Sequence, residues 1–493
     1  MTGLIGIILS LLLLMYLAYR NVSVLVLAPL CAMLAVMLDG GLPVLATYTQ
    51  IFMVSVGQFI TLFFPLFLLG AIFGKLMEDS GAATRIADVV VRSVGGKRTI
   101  LAIVLSCGVL TYGGVSLFVV VFAVFPLSKS LFQQANIPRR LIPAAIALGS
   151  FTFTMTAMPG TVQIQNLIPM QFFRTTPFAA PGLGLIGSMI MLVLGMLWLN
   201  RQAAKASEQG EGFESNLHQP QGASPGYSPL FTKESPAASA LPLTTSTARS
   251  AGGSEILKPL PSAWSSFTPI VCVVVLNFVF FRYVIPTWST AYLAEEQFGH
   301  TELSKVLGTW STILSMLAAI VITIVLHFRS VERLKKSLAE GARSSLLPVF
   351  NTASEYGYGN TIKSLAGFTI VQKFVTGIAP GNPLISEAIA VNSLAAITGS
   401  ASGGLSIALK ALGETYYGRG IAAGINPELL HRVASMSCGG LDSLPHNGAV
   451  ITLLLICGVT HRQGYKDVGV VSVICPLFAT ITVLALGTAF GSF

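Results

Sequence analysis

Two stretches of this chain, Gly113-Gly114-Val115-Ser116-Leu117 and Gly403-Gly404-Leu405-Ser406-Ile407, place a Gly-Gly pair and a serine inside long apolar segments. Matching sequences flank both stretches, 276 to 290 residues apart: Glu78-Asp79-Ser80-Gly81 with Ser354-Glu355-Tyr356-Gly357, and Asn136-Ile137-Pro138 with Ile425-Asn426-Pro427. Gly-interrupted apolar segments at corresponding positions of two halves are typical of secondary transporters, whose site lies at the repeat interface. The sequence therefore predicts two membrane repeats that move a small solute.

The composition independently indicates a membrane protein. Apolar residues make up 53% of the chain and charged residues 10%, whereas soluble domains average roughly 25% charged residues. Continuous apolar runs long enough to cross ~30 Å of hydrocarbon recur along the chain, and their lack of alternation excludes a closed barrel. We therefore predict an all-α polytopic membrane protein. The predicted spans are Leu4–Tyr19, Val22–Leu38, Gly57–Met77, Thr99–Phe125, Arg140–Met158, Leu183–Leu199, Phe267–Pro286, Val306–Phe328, Ser386–Leu412, Leu429–Cys457 and Val468–Phe490.

One polar interval divides the chain. Residues 201–262 are rich in Ser, Pro, Gly and Ala and have no helical period, so they cannot bury enough apolar surface to order themselves. We predict a first membrane repeat over residues 1–200, a flexible polar linker over 201–262 that is cytoplasmic, and a second membrane repeat over 263–493. A regulatory or partner-binding role for the linker is the alternative.

The net charge of +9 does not indicate nucleic-acid binding, because the basic residues collect at the ends of apolar segments. Such a distribution follows the positive-inside rule for loops of membrane proteins. Examples are Lys97-Arg98, Arg139-Arg140, Lys335-Lys336 and Arg462 with Lys466. The predicted partners are the lipid bilayer, a small organic anion and a coupling proton, with sodium as the alternative ion, and no nucleic acid.

Hydroxyl side chains accompany the Gly-Gly breaks. Lipid cannot satisfy the backbone groups that a helix break frees, and the N-terminus of a half-helix suits a carboxylate. Shorter apolar pieces around Ser80 and Tyr356 predict a re-entrant hairpin at each. The predicted substrate-binding residues are Ser80, Gly81, Thr111, Gly113, Gly114, Ser116, Tyr356, Gly357, Thr398, Ser400, Ser402, Gly403 and Gly404. The alternative is that the glycines form small-residue packing faces of ordinary membrane helices.

Four titratable residues are candidates for proton coupling: Asp79, Glu355, Asp442 and His446. A carboxylate at membrane depth is costly and therefore a functional candidate, and an Asp with a His nearby can carry a proton near neutral pH. Alternatively, Glu78 and Asp79 cap a helix at the water interface beside Lys75 or Arg85, and His446 is structural. No cluster with metal-ligand spacing occurs, so we predict neither a metal nor another cofactor.

These residues resemble the gluconate permease (GntP) family of the ion transporter superfamily. The resemblance covers almost the whole chain outside the linker, and its most specific elements are Gly74-Lys75-Leu76-Met77-Glu78-Asp79-Ser80-Gly81 and Thr398-Gly399-Ser400-Ala401-Ser402. It implies a bacterial inner-membrane permease for small hydroxy-carboxylates, usually proton-coupled. It further implies two inverted repeats with re-entrant hairpins and broken transmembrane helices, separate scaffold and transport parts, an elevator-like movement and a homodimer.

The second half resembles the branch described as 3-hydroxybutyrate permeases more than the sugar-acid permeases. The residues that carry this likeness are Ser354–Gly359, Ser402–Ser406 and Asp442–Gly448. We therefore expect a short monocarboxylate such as 3-hydroxybutyrate, with gluconate as the family's general alternative.

Three other functions compete with this one. A sodium-coupled citrate or dicarboxylate transporter of the same architecture would usually need an arginine, and the broken segments contain none. A membrane-embedded enzyme would need a catalytic constellation, for which Asp442 and His446 are too weak a signal. A channel would have a continuous pore lining, whereas paired breaks imply an occluded central site.

Overall fold

The chain is helical in the part that the structure describes. A computed structural model describes residues 2–19, 23–95, 98–115, 117–213, 260–379, 381–445 and 447–493, and no strand occurs within them. The first half contains α1 (Thr2–Tyr19), α2 (Val24–Asp39), α3 (Val44–Ala46), α4 (Met53–Asp79), α5 (Ala82–Val94), α6 (Thr99–Tyr112), α7 (Leu117–Gln134), α8 (Ile142–Ser150), α9 (Phe153–Thr156), α10 (Ile164–Phe173) and α11 (Pro181–Glu208). The second half contains α12 (Ala263–Val279), α13 (Leu303–His327), α14 (Val331–Ser364), α15 (Phe368–Gly377), α16 (Pro383–Thr398), α17 (Ala401–Ala422), α18 (Pro427–Cys438), α19 (Gly448–Ile456), α20 (His461–Gly469) and α21 (Cys475–Phe490).

Five helical segments among the described residues are long and apolar enough to cross a membrane. They are Val44–Asp79, Pro181–Glu208, Ala263–Thr287, Leu303–His327 and His461–Phe490. In the first of them, a π-helical turn over Thr47–Phe52 joins α3 to α4 without interruption. These segments confirm the prediction of an all-α polytopic protein.

The helices follow one another in the same order in both halves. A long helix (α4 or α14) precedes a short one (α5 or α15), then a pair joined at a break (α6 and α7, or α16 and α17), and then half-length helices. Because α6 ends at Tyr112 and α16 at Thr398, the corresponding breaks are Gly113-Gly114 and Gly399-Ser400. The predicted break at Gly403-Gly404 is therefore wrong, since both glycines lie in the first turn of α17.

The predicted hairpin at Tyr356 is also wrong, because α14 runs unbroken through this residue. The neighbouring glycines serve packing between helices: Gly357 lies against Phe52, and Gly359 lies against Ile407. Small residues allow such close approach of membrane helices. Ser80 does lie in a turn, where Gly81 joins α4 to α5 with φ +76°.

A helical hairpin is found instead at the second break. The backbone of α16 at Ala395 lies close to Gly404 of α17, and farther from the break the Tyr416 hydroxyl donates to the Ser386 carbonyl at 3.1 Å. The end of α16 therefore lies beside the beginning of α17, and the beginning of α16 lies beside the later part of α17, so the two helices run antiparallel. The tip of the hairpin is therefore Gly399-Ser400, and its open end lies near Pro383 and Ala422.

The predicted linker begins later than residue 201. Helix α11 continues to Glu208, and the segment beyond it packs against the first half: Glu211 forms a two-pronged ion pair with Arg140 at 2.9 and 3.0 Å, and the Phe213 amide donates to Asn136. The hydrogen bond with Glu211 is the main reason that the pKa of Arg140 lies above its usual value. Residues 214–259 lie outside the described part of the chain.

Candidate functional site

The beginning of α17 is arranged to receive an anion. Gly399 adopts the left-handed region at φ +63°, which favours glycine, and Ser400 caps the helix by accepting a hydrogen bond from the Gly403 amide at 3.1 Å. Within the described residues, the amides of Ala401 and Ser402 have no hydrogen-bond partner. Free amides at a helix N-terminus bind anions, because the helix dipole adds to their hydrogen bonds.

A buried carboxylate from another helix adjoins this same turn. Glu355 lies in the C-terminal third of α14 with 2% of its surface exposed, and its Oε2 atom has no hydrogen-bond partner among the described residues. It occupies the space beside Gly403, where a Cβ atom would collide with the carboxylate. The absence of a side chain at Gly403 is thus what admits Glu355 to the first turn of α17.

An asparagine links the break to the loop that carries Asp442. The Asn447 Nδ2 atom donates to the Gly399 carbonyl at 2.9 Å and to the Asp442 carbonyl at 3.0 Å, while its Oδ1 atom caps α19 by accepting from the Val450 amide. The Asp442 carboxylate is buried and accepts a hydrogen bond from Ser443 at 3.0 Å. Glu355, the Gly399 to Gly403 turn and the Asp442 loop therefore form one candidate site.

The first-half break is also supported by a side-chain amide, from the residue at the N-cap position of α10. Gln163 precedes α10 as Asn447 precedes α19, and its Nε2 atom donates to the Thr111 carbonyl at 2.7 Å. Neither amide was identified from the sequence as a residue that supports a break. The available signal was the position of each, a polar amide directly before a short apolar helix that follows a broken pair.

Apolar side chains lie nearest to the glycines of the first break. Gly114 adopts φ +90°, and the nearest neighbours of Gly113 and Gly114 among the described residues are the side chains of Ile270 and Val162. The Thr111 hydroxyl is buried and has no partner in the described part of the chain. None of these nearest neighbours belongs to the second break. Ser116 and His446 lie outside the described residues.

Asp79, Ser80 and Gly81 lie in a different place, where the end of α4 meets the beginning of α14. Asp79 is paired with Lys75 at 3.1 Å and accepts a hydrogen bond from Ser337 at 2.6 Å, and its backbone carbonyl accepts from Arg333. This pairing agrees with the capping interpretation for Asp79. Arg85 instead pairs with Asp88.

Tyr356 and Gly357 face away from Glu355 although they follow it directly. The Tyr356 ring packs against Phe59 of α4 with 5.3 Å between ring centroids, and Lys410 lies 4.7 Å above it. Gly357 contacts α4 as described above. Three successive residues of a helix point in different directions, so only Glu355 of this group reaches α17 beside Gly403.

A buried arginine on α18 was not identified from the sequence. Arg432 is fully buried, and its guanidinium donates to the carbonyls of Thr156 and Ala179 and to the Asn166 side chain. His431 beside it bonds Thr175 at 2.6 Å and Asn166 at 3.1 Å. This network ties α18 to residues 156–180 of the first half. Its donors are occupied by the protein itself, which favours a structural role.

Comparisons with known proteins agree on one class. A model of the GntP family permease matches residues 1–218. The uncharacterized transporter YxjC of Bacillus subtilis (strain 168) is 45% identical over 493 residues, which cover 98% of this chain and 99% of that protein. The crystal structure of the Alcanivorax borkumensis YdaH transporter, reported to have an unusual topology, is similar in fold, with a TM-score of 0.53 and 15% identity over 89% of this chain and 88% of that one.

Proposed function

The chain belongs to the GntP family of permeases and is a multi-pass membrane transporter, and from this premise we propose that it carries a small hydroxy-carboxylate together with a proton. The observation that carries the proposal is the contact between the Glu355 carboxylate and Gly403 at the beginning of α17. The substrate class is a short monocarboxylate such as 3-hydroxybutyrate, with gluconate as the alternative within the family.

The substrate carboxylate binds the free amides of Ala401 and Ser402. Two further donors lie nearby on the same helix, because the hydroxyls of Ser402 and Ser406 make no hydrogen bond with other described residues, and that of Ser406 is buried. A hydroxy-carboxylate offers both an anion for the amides and a hydroxyl for these serines. Thr398 is less suited to this role, since its hydroxyl already donates to the Leu394 carbonyl of its own helix and to the Ser400 carbonyl in the break.

Glu355 couples the proton to this anion by electrostatics. An ionised Glu355 and a substrate carboxylate would place two like charges at one helix N-terminus, and such pairs disfavour the doubly charged state. The substrate therefore binds well when Glu355 carries a proton, and by linkage the substrate strengthens proton binding by the same factor. One proton and one anion then move together.

Asp442 is the alternative coupling group. Its carboxylate is buried, it lies in the loop that Asn447 joins to Gly399, and Ser443 supplies its hydrogen bond. A hydrogen bond from Ser443 stabilises the ionised form, whereas the unpartnered oxygen of Glu355 has no such support. We therefore place the coupling proton on Glu355 ahead of Asp442.

Sodium-coupled citrate or dicarboxylate transport is the alternative. A second carboxylate would usually need a cationic partner, and the buried guanidinium of Arg432 in the described part of the chain is already bonded to Thr156, Ala179 and Asn166. We further propose that the hairpin of α16 and α17 belongs to a moving transport part, that the two halves are inverted repeats, and that the protein is a homodimer in the bacterial inner membrane. An elevator-like movement would carry the hairpin tip across the membrane.

The test is uptake into proteoliposomes of labelled 3-hydroxybutyrate, gluconate and citrate, with pH and sodium gradients imposed separately. We expect a pH gradient to drive 3-hydroxybutyrate or gluconate, and Glu355→Gln to keep substrate counterflow while its pH-driven accumulation falls well below that of the parent. Glu414→Gln is the matched control on α17, because Glu414 is 90% exposed and pairs loosely with Lys363 at 3.7 Å. Accumulation driven by sodium alone, or full pH-driven accumulation by Glu355→Gln, would refute the proposal.

A further inference from the structure

Helix α16 carries a second buried carboxylate that the proposed coupling step does not use. Glu387 is fully buried, and neither of its Oε atoms has a hydrogen-bond partner among the described residues. It lies in the second turn of α16, near the open end of the hairpin, whereas Glu355 meets the hairpin beside its tip. Two unpartnered carboxylates thus lie at opposite ends of one helical hairpin.

The groups around Glu387 do not neutralise it. Tyr416 of α17 is close enough to interact with it electrostatically, but the Tyr416 hydroxyl donates to the Ser386 carbonyl. No ion pair to Glu387 within 4.0 Å occurs in the described part of the chain. The other charged or titratable groups on the helices packed against α16 are Tyr16 on α1, Lys373 on α15, Lys410, Glu414, Tyr417 and Arg419 on α17, Glu428, His431, Arg432 and Cys438 on α18, and Cys475 on α21.

The basic groups on these helices, including Arg419 near the open end of the hairpin, make no ion pair with Glu387 in the described part of the chain. His431 and Arg432 bond Thr175, Asn166 and Ala179, as described above, and Lys410 lies over the Tyr356 ring. A buried ionised carboxylate with neither a cation nor a hydrogen-bond donor is strongly unfavourable, whereas the protonated acid avoids burying the charge. The environment of Glu387 therefore selects the protonated form in this conformation.

We propose that Glu387 is a second proton-binding site, separate from Glu355 and located near the open end of the hairpin. Its ligand is a single proton, which adds to one carboxylate oxygen from water and returns to water when movement of α16 and α17 exposes the residue. This inference rests on the proposed proton-coupled transport. It adds that each transport cycle moves two protons, one on each carboxylate.

The first test measures protons and substrate together in proteoliposomes, using a pH-sensitive dye and labelled substrate. We expect two protons per substrate for the parent and for Glu414→Gln, and one for Glu387→Gln. A parent ratio of one, or an unchanged ratio in Glu387→Gln, overturns the second site. In those cases a coupling defect in Glu355→Gln leaves the proposed function standing, whereas substrate uptake without any proton movement in the parent removes both.

The second test detects the proton directly by infrared spectroscopy of the protein in lipid near neutral pH. The parent should show the carbonyl stretch of a protonated carboxylic acid that is absent from Glu387→Gln. Should this variant fail to insert, Glu387→Asp keeps an acid, and the carbonyl band should shift in frequency. A parent spectrum with no protonated acid that responds to substitution at position 387 overturns the proposal.

Discussion

At the residue scale, the contact between Glu355 and Gly403 offers the sharpest test of the candidate site. Replacing Gly403 with alanine would place a Cβ atom against the carboxylate, so Gly403→Ala should weaken substrate binding at least tenfold, or about 1.4 kcal/mol, while membrane insertion stays normal. Equilibrium binding of labelled substrate to purified protein measures this. Gly418→Ala on the same helix is the control, because no atom lies within 4 Å of a Cβ there.

The double variant Gly403→Ala with Glu355→Ala separates this contact from other effects of the methyl group. Removing the carboxylate leaves space for the new Cβ atom, so the double variant should be less destabilised than the sum of the two single variants. Additive losses in thermal unfolding would contradict a direct clash at this position.

The residue types of the site could be predicted from the sequence, but their arrangement could not. Glu355 and Ser400 were candidates because polar side chains within apolar membrane segments are energetically unfavourable, and those that occur there usually have a function. The Gly403-Gly404 pair was misinterpreted as a break, because glycines also occur inside membrane helices where backbones approach closely, as Gly404 approaches Ala395. Glu387 was not identified, because a single glutamate in a predicted span carries no signal of whether it is paired.

At the scale of the helices, the side-chain amides of Gln163 and Asn447 support the two breaks, and Asn447 also caps its helix. Asn447→Ala removes the cap of α19, worth about 1 kcal/mol, and also the bond to the Gly399 carbonyl, so both the unfolding temperature and transport should fall, transport at least tenfold. Asn426→Ala is the matched control, since Asn426 caps α18 through the Glu428 amide at 2.9 Å and does not bond the break. Equal transport in the two variants would show that the bond to Gly399 is dispensable.

The junction of α4 with α14 should matter for stability and not for coupling. Asp79→Asn weakens the ion pair with Lys75 and the hydrogen bond with Ser337, both of which are partly exposed. We therefore expect the free energy of unfolding to fall by about 1 kcal/mol or less. Accumulation driven by a pH gradient should persist, measured beside the parent in proteoliposomes. Loss of accumulation with counterflow intact would return Asp79 to the list of coupling residues.

The bounds of the helices could not be predicted from the local sequence pattern alone, because tertiary contacts help to determine them. Helix α14 was not among the predicted spans, because its first half is charged and Pro348 and several glycines interrupt its second half. Contacts with α4 and α17 keep it helical, as at Gly341 against Ile72 and Gly359 against Ile407. Tertiary packing of this kind overrides local helix propensity.

At the scale of the whole molecule, the segment that connects the two halves should tolerate shortening, provided that the described residues on either side of 214–259 are kept. Replacing residues 214–259 with a Gly/Ser segment of half that length should leave uptake within about twofold, since loop closure changes by only ~0.6 kcal/mol per doubling of length. A parallel replacement that begins at residue 209 also removes Glu211 and its ion pair with Arg140. This second variant should have a lower unfolding temperature than the parent, because it loses that ion pair. Loss of transport in the first variant with normal insertion would show that the segment has a function.

The division of the chain into two membrane repeats at the polar interval stays a prediction. The correspondence between the two breaks could not be predicted from the sequence, since it rests on where α6 and α16 end and on the contacts of Gln163 and Asn447. Sequence spacing alone could not distinguish one long spanning helix from the hairpin of α16 and α17, because a continuous predicted span covered both helices.

Helix α14 is long enough to connect an exposed part of the protein surface with its buried interior. Its 34 residues extend about 51 Å at 1.5 Å per residue, and the Lys336 side chain near its N-terminal end is exposed. The same continuous helix carries Glu355 beside α17. A fluorophore or spin label can be attached at position 336, whose side chain is 77% exposed. Its signal would report a tilt of α14 that accompanies proton or substrate binding beside Glu355.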